Sequence, residues 1–454
     1  MATARSTKQG KAKGTAGNAV GKKARGAKGT TGTKVPVAHA AGEGISIEQA
    51  SSAAQTSLSG NSTFQRTNEL SFQEKMRIIN GMRQKNPEMF VSAEDLSTPY
   101  TLRRPTGIIE LDIALGGGFP AGGASMLSGP FNSGKSWLLW RMFAMQQRIY
   151  GHEFVGAIAH TEGAMDYEYI RRCGCYVAVP DDVINSWNEL RFQRGLPQLT
   201  SAEVDFWKMQ VGHIETIQGD TGEQILTGVL NLTEKGVCNI VAVDSISSLQ
   251  SQKDADKDLD EESKRAAHAQ LMKQFWLRYV PHTRKGRNYT TTMLVQQVVQ
   301  RDKSNAGYAA KYLPDWEVRG GESSKHYKLI DLVVSSGAKI RDNDKNVIGK
   351  EVNYQTLKGK AGTHDNVTGS FNYYYHMYGT DVHGDLIASA MRRGIIVHYG
   401  AHLSVVNAQT RQPIDSISYK TDQEIRERMG SDVAFEFAVR REVLASAGVQ
   451  CLYR

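Results

Sequence analysis

One octapeptide constrains this chain more than any other feature. Gly129-Pro130-Phe131-Asn132-Ser133-Gly134-Lys135-Ser136 fits the pattern G-x-x-x-x-G-K-[ST] and stands between an apolar run, Ala124 to Leu127, and a helical-looking run that opens at Trp137. Between a strand and a helix, such a loop turns its backbone N–H groups inward around phosphates. Lys135 then neutralises the β/γ charge and the Ser136 hydroxyl can hold Mg²⁺. The alternative is a fortuitous glycine-rich turn, which rarely falls between a strand and a helix.

The rest of the chain supplies the fold this loop needs. From about residue 101, short apolar runs (Ala124 to Leu127, Val155 to Ala159, Ile240 to Val243, Thr292 to Val295, Leu329 to Val334) alternate with helical stretches. That is the rhythm of an α/β fold with a largely parallel sheet and helices on both faces. The run Asn239 to Val243 ends in Asp244. Alone, an acid at a strand end is more often a helix cap; together with Lys135 it reads as the carboxylate that holds Mg²⁺ beside the phosphate loop. Glu162, after the run Phe154 to Ala159, is placed to act on an attacking water, its bland reading being a surface carboxylate.

Outside this core the chain changes character. Residues 1–65 are built mainly from Ala, Gly, Thr, Ser and Lys, with no leucine before Leu58 and Phe64 as the first aromatic, so they are expected to be disordered. The net charge is +8, and residues 1–40 hold nine basic residues and no acid, which leaves −1 for the remainder. A basic face for the whole molecule does not follow. The tail reads as a solvated extension, as a source of nonspecific phosphate affinity, or as a targeting signal. Residues 66–100 should hold one amphipathic helix, capped by Ser71 and Glu74 and stopped at Asn86-Pro87, and a linker. After Gly379 strand signals thin out, so 379–454 is expected to form a small α-rich domain behind a core of 101–378. No run of about 18 apolar residues occurs, so a soluble, non-membrane protein is expected. Four sparse cysteines without metal spacing favour a reducing interior.

Several short motifs then fall in one order: Thr106-Gly107, Leu111 to Gly116, the phosphate loop, Thr161 to Asp166, Asp220 to Gln224, Val243 to Ser245, Gln296-Gln297, Gly320-Gly321, Asn346 to Gly349 and Lys358 to Lys360. In that order the chain resembles the RecA recombinase family over about residues 101–454. The resemblance implies a RecA-like ATPase core with an N-terminal helix that contacts a neighbouring subunit. It implies that Glu162 activates water, that Asp166 and Tyr169 flank the adenine, and that Gln297 senses the γ-phosphate. Lys358 and Lys360 would reach from one subunit into its neighbour's nucleotide. Two segments resemble the family's DNA loops. The first, about 250–265, carries an excess of acids. The second, about 298–321, interleaves Arg301, Lys303, Lys311 and Arg319 with Tyr308, Tyr312 and Trp316, pairing phosphate charge with stacking surfaces for bases.

The sequence also departs from the family pattern. Residues 181–211 read as an inserted, largely helical element. Trp137 follows the phosphate-loop serine where a small hydroxyl residue is usual, which leaves the fine nucleotide contacts open. The acidic C-terminal tail of many bacterial members is missing, since the chain ends Cys451-Leu-Tyr-Arg454. A phage-encoded recombinase is as compatible with these departures as a cellular one. The expected function is a DNA-dependent ATPase, using ATP and Mg²⁺, that forms head-to-tail filaments on single-stranded DNA, pairs it with homologous duplex DNA and works inside the cell. A ring-forming helicase or DNA motor on the same core, and a noncatalytic ATP-binding scaffold, are the alternatives.

Overall fold

The computed structural model describes residues 70–87, 89–90, 102–163, 165–252, 261–284, 288–300, 316–318, 326–375 and 379–449. The chain divides into two units, Met1–Glu74 and Lys75–Arg454. In the first, the capping box at Ser71 is formed: the Ser71 N–H donates to the Glu74 carboxylate at 2.9 Å and the Glu74 N–H to Ser71 Oγ at 3.3 Å. The helix it opens, α1 (Phe72–Lys85), buries none of its residues.

The second unit runs β1 (Arg103–Arg104), α2 (Ile109–Ala114), β2 (Phe119–Pro120), β3 (Ala124–Gly129), α3 (Lys135–Tyr150), β4 (Val155–His160) and α4 (Tyr167–Arg172). It continues with α5 (Asp181–Gln193), α6 (Ser201–Lys208), β5 (His213–Thr216), α7 (Gly222–Lys235), β6 (Ile240–Asp244), α8 (Glu261–Arg284), β7 (Thr291–Gln300) and β8 (Trp316–Val318). The last stretch is β9 (Asp331–Arg341), β10 (Val347–Lys358), β11 (Thr368–Tyr374), α9 (Val382–Arg392), β12 (Ile396–Tyr399), β13 (His402–Val405), α10 (Asp422–Ser431) and α11 (Val433–Ser446). Among the described residues nine strands form one sheet, in the order β11-β10-β9-β3-β7-β6-β4-β5, with β8 paired to β7. The strands from β9 through β3, β7, β6 and β4 to β5 are mutually parallel, and β10 and β11 return antiparallel. All five apolar runs of the sequence are strands of this sheet.

Side-chain alternation along those strands explains why helices cover both faces. Leu127, Ile158, Ile240, Ala242, Met293 and Val295 point to the face packed by α3, with Leu138, Leu139 and Phe143. Their neighbours Met126, Ala157, Val241, Val243 and Leu294 point to the other, against Val229 of α7 and Phe275 and Trp276 of α8. Truncating one such buried leucine to alanine costs about 2–5 kcal/mol. The parallel arrangement brings the carboxyl ends of β3, β4, β6 and β7 to one edge, where a ligand site is expected in an open α/β sheet.

Two regions flank this core. The segment 181–211 holds α5 and α6. A Thr200–Glu203 capping box opens α6, and Trp187 and Trp207 meet edge to face at 5.3 Å. Arg171 of α4 ties the segment down, stacking over Phe206 at 4.9 Å and donating to the Trp207 and Met209 carbonyls. Toward the C-terminus, α9, α10 and α11 surround their own apolar cluster, which includes Leu386, Ile425, Val439 and Ile109 of α2. The antiparallel hairpin β12–β13 belongs to this region as well. Its two strands of four residues were too short to stand out in the sequence.

Candidate functional site

The phosphate loop joins β3 to α3 and takes its shape from backbone that most residues cannot adopt. Asn132 and Gly134 have φ of 56° and 97°, the left-handed region in which a Cβ is normally penalised. Gly129 is needed for a different reason: a Cβ there would lie 2.3 Å from the Val334 carbonyl oxygen and 2.5 Å from Ser133 Oγ. Lys135, buried at the first turn of α3, donates its Nζ to the Pro130 carbonyl at 2.7 Å across the loop. Burial holds its pKa below the usual lysine range, against the attraction of Asp244 and Glu162 and with the repulsion of Lys350. The loop N–H groups and this ammonium form an anion cradle at a helix N-terminus.

Opposite the loop, β4, β6 and β7 deliver the groups of the predicted chemistry. Gln297 Nε2 donates to Glu162 Oε1 at 3.0 Å, and Ser245 Oγ donates to the same oxygen at 2.7 Å. Ser245 is held in turn by Thr161, whose hydroxyl accepts from the Ser245 N–H at 2.8 Å and donates to its carbonyl at 2.9 Å. Gln297 is held through its backbone N–H, which donates to Ser247 Oγ at 2.9 Å. Three strand ends thus meet at one carboxylate.

Asp244 sits deeper. Its side chain is buried and its Oδ2 makes no hydrogen bond among the described residues, an expensive state for a carboxylate oxygen. Burial raises its pKa; Glu162 adds to this, while the Ser136 hydroxyl and Lys135 counter it. An orphaned buried carboxylate oxygen next to a serine hydroxyl fits a Mg²⁺ ion, which takes one or two protein ligands and completes its shell with water and phosphate. Among the described residues no three His, Cys, Asp or Glu side chains cluster to hold a metal, and a phosphate-bound Mg²⁺ does not require them.

These groups line a cleft of about 480 Å³. Phe131, Asn132, Ser133, Gly134, Lys135, Ser136 and Trp137 contribute from the loop and α3, and Glu162, Tyr169, Asp244 and Gln297 from the facing elements. Asp166 does not line it: exposed at the N-cap of α4, it accepts from the Tyr169 N–H at 2.9 Å. Trp137 is turned inward, packing on Phe371 and Tyr373 at ring-centroid distances of 5.6 and 5.0 Å. Gly379 makes room for it, since a Cβ there would fall 2.1 Å from the indole nitrogen. The enlarged residue after the loop serine therefore extends the core beneath the cleft.

Three lining residues lay outside the sequence reading: Lys350 of β10, Tyr373 of β11 and Tyr375 just beyond it. Phe371, Tyr373 and Tyr375, spaced by two residues, were the available signal, three aromatics on one side of an extended stretch. Lys358 stands at the other end of β10 from Lys350, opposite Asp331 at the start of β9. Eight residues of strand separate the two lysines, roughly 25 Å. Lys358 Nζ donates to the His326 carbonyl at 3.1 Å. Burial, with Lys360 and Lys328 nearby, lowers its pKa to about 8. Neither Lys358 nor Lys360 lines the cleft of its own chain. Of the DNA-loop residues, Arg301, Lys303, Tyr308, Lys311, Tyr312 and Arg319 lie outside the described residues, as does most of the acidic loop, and Trp316 is described only as the first residue of β8.

The comparisons with known proteins give a family likeness. A family model for the RecA N-terminal domain matches residues 206–376, which hold Asp244, Gln297, Lys350 and Tyr373. Protein RecA of Chlorobaculum parvum is 26% identical over 343 residues, 75% of this chain and 85% of the relative. Over about three quarters of its length the chain is similar to proteins of the RecA family. Protein RecA of Methylococcus capsulatus is 25% identical over 342 residues, 75% of this chain and 83% of the relative. That of Desulforapulum autotrophicum is 28% identical over 303 residues, 66% and 72%. That likeness supports, at the level of the family, an ATPase of the recombinase class. Among the described residues no helix is long and apolar enough to cross a membrane.

Proposed function

We propose that this chain hydrolyses ATP while assembled head-to-tail on single-stranded DNA, and that the filament pairs that strand with homologous duplex DNA and exchanges strands. The observation that carries the reading is the convergence of Gln297 and Ser245 on Glu162 across the cleft from Lys135. The three groups divide the work. Lys135 and the loop N–H groups bind and neutralise phosphate. Glu162 accepts the proton of the attacking water. Gln297, already bonded to Glu162 and placed just before the DNA-loop segment, couples the state of the site to that segment. Ser136 and Asp244 would hold Mg²⁺, which would neutralise charge on the phosphates.

Two features support assembly. Lys358 lies about 25 Å along β10 from Lys350 of its own cleft and Lys360 follows just beyond the strand, so their charge is read as serving a neighbour's nucleotide. The helix α1 carries Ile78, Ile79 and Met82, all exposed, and is read as a contact with the next subunit. A heterologous contact of this kind propagates as an open helix. Electron microscopy with an ATP analogue, with and without single-stranded DNA, tests assembly, with ATP turnover measured in parallel. Lys358→Ala with Lys360→Ala should leave nucleotide binding by the isolated subunit intact and remove DNA-stimulated turnover. A double mutant with full DNA-stimulated turnover overturns the shared-site arrangement, and closed rings of fixed subunit number overturn the filament.

A further inference from the structure

Lys350 is a second ammonium group in the cleft, supplied by a strand that the phosphate-loop pattern does not include. It reaches across from β10, where its Nζ donates to the Asn132 carbonyl of the phosphate loop and to Ser336 Oγ at 3.1 Å. Ser336 Oγ also donates to that carbonyl at 3.1 Å. The remaining neighbour is the ring of Tyr373, with the ammonium 5.9 Å from its centroid. These contacts are with neutral groups.

The electrostatics of the pair reinforce the point. Lys350 is half-buried and its pKa is lowered by burial, with no opposing charge among the described residues to restore it. It also lowers the pKa of Lys135, so the two ammonium groups act on each other within one cleft. Two desolvated like charges beside an anion cradle are unfavourable alone and become favourable once a polyanion lies between them. We infer that Lys350 is a second phosphate-binding cation of the same chain, held on the Asn132 carbonyl and Ser336 until the nucleotide's phosphates take it over. Its charge favours the more highly charged triphosphate over the diphosphate. The inference rests on the nucleotide reading of the cleft and adds a specificity-determining residue to it.

A purely structural role, in which Lys350 clamps the loop, is separable by experiment. Titration calorimetry would measure binding of a slowly hydrolysed ATP analogue and of ADP, each with Mg²⁺, at two salt concentrations. The wild type would be compared with Lys350→Ala, Lys350→Arg and Ser336→Ala, and unliganded thermal unfolding would confirm that each folds. Loss of one charge-assisted bond predicts that Lys350→Ala weakens the triphosphate analogue about tenfold or more. ADP should weaken less, and the salt dependence should flatten. Lys350→Arg should restore most of the affinity, and Ser336→Ala, which loosens the clamp without removing charge, should stay within about twofold. The assignment is overturned if Lys350→Ala binds the analogue as the wild type does, or if it and Ser336→Ala weaken both nucleotides equally. If the wild type binds neither nucleotide, the reading of the cleft falls and the role of Lys350 with it.

Discussion

Two charged centres of the second unit have opposite constructions. Beneath α11, Arg440, Glu436 and Asp112 are buried side chains whose opposite charges pair, although Arg440 Nε has no hydrogen-bond partner among the described residues. Arg440 lies 3.4 Å from both Asp112 and Glu436. Asp112 also accepts from the Thr106 N–H at 2.7 Å, from the Thr106 hydroxyl at 2.8 Å and from the Gly107 N–H at 3.2 Å. Glu436 adds Arg148 of α3, and His383 at 3.4 Å. In the cleft, by contrast, the Asp244 Oδ2 has no bond among the described residues and two lysines rest on carbonyl oxygens. Paired charge specifies how α2 and α11 fit together; incompletely paired charge marks where a ligand is to arrive.

If this contrast is right, mutations in the two centres should have different readouts. The largest effect is expected from Glu162→Gln, which keeps shape and hydrogen bonding but cannot take a proton from water. ATP hydrolysis should fall by about 10²- to 10⁴-fold while nucleotide affinity and unfolding midpoint stay near wild type. Turnover with saturating single-stranded DNA measures it, and wild-type turnover would remove Glu162 from the chemistry.

Arg440→Ala should do the reverse. With Asp112 and Glu436 left buried against fewer positive charges, stability should drop by about 3–5 kcal/mol. Urea unfolding reads this, and adding Asp112→Asn and Glu436→Gln to the same chain should recover part of the loss. A small effect of Arg440→Ala would mean that the network contributes little to the fit of α11.

The smallest effect expected is on the pH dependence of stability. Burial works against ionised Glu436, but the His383 hydrogen bond and the charges of Arg440 and Arg148 prevail, and its pKa falls to about 2 from 4.5. A depressed carboxylate stabilises the fold above its unfolded pKa, and that contribution disappears as pH falls from about 4.5 toward 2, up to about 3 kcal/mol by linkage. Asp112 has the opposite sign. Burial outweighs Arg440 and raises its pKa to about 6, so between its ordinary value and 6 stability decreases as pH rises. Glu436→Gln should flatten the acid limb of a stability curve and leave the rise between pH 6 and 4 intact. An unchanged acid limb would show that Glu436 is not the group responsible.

The sequence by itself determined what is encoded in contiguous backbone. The phosphate loop is eight consecutive residues whose glycines and lysine state their own geometry, and the five apolar runs state a buried parallel sheet by their lack of polar alternation. Asp244 and Glu162 were legible because one directly follows such a run and the other stands three residues beyond one. Tertiary structure decided the rest. Lys350, Tyr373 and Tyr375 enter the cleft only because β10 and β11 return antiparallel along the edge of the sheet, a pairing set by long-range register that no local pattern announces. Asp166 and Tyr169 are three residues apart, yet only the tyrosine faces the cleft, because the aspartate's oxygen is engaged with the first turn of the helix between them. Arg440 and Asp112 find each other across 328 residues of chain. Burying an arginine and a carboxylate is stable only when folding delivers each to the other, so their meeting is a property of the packed molecule.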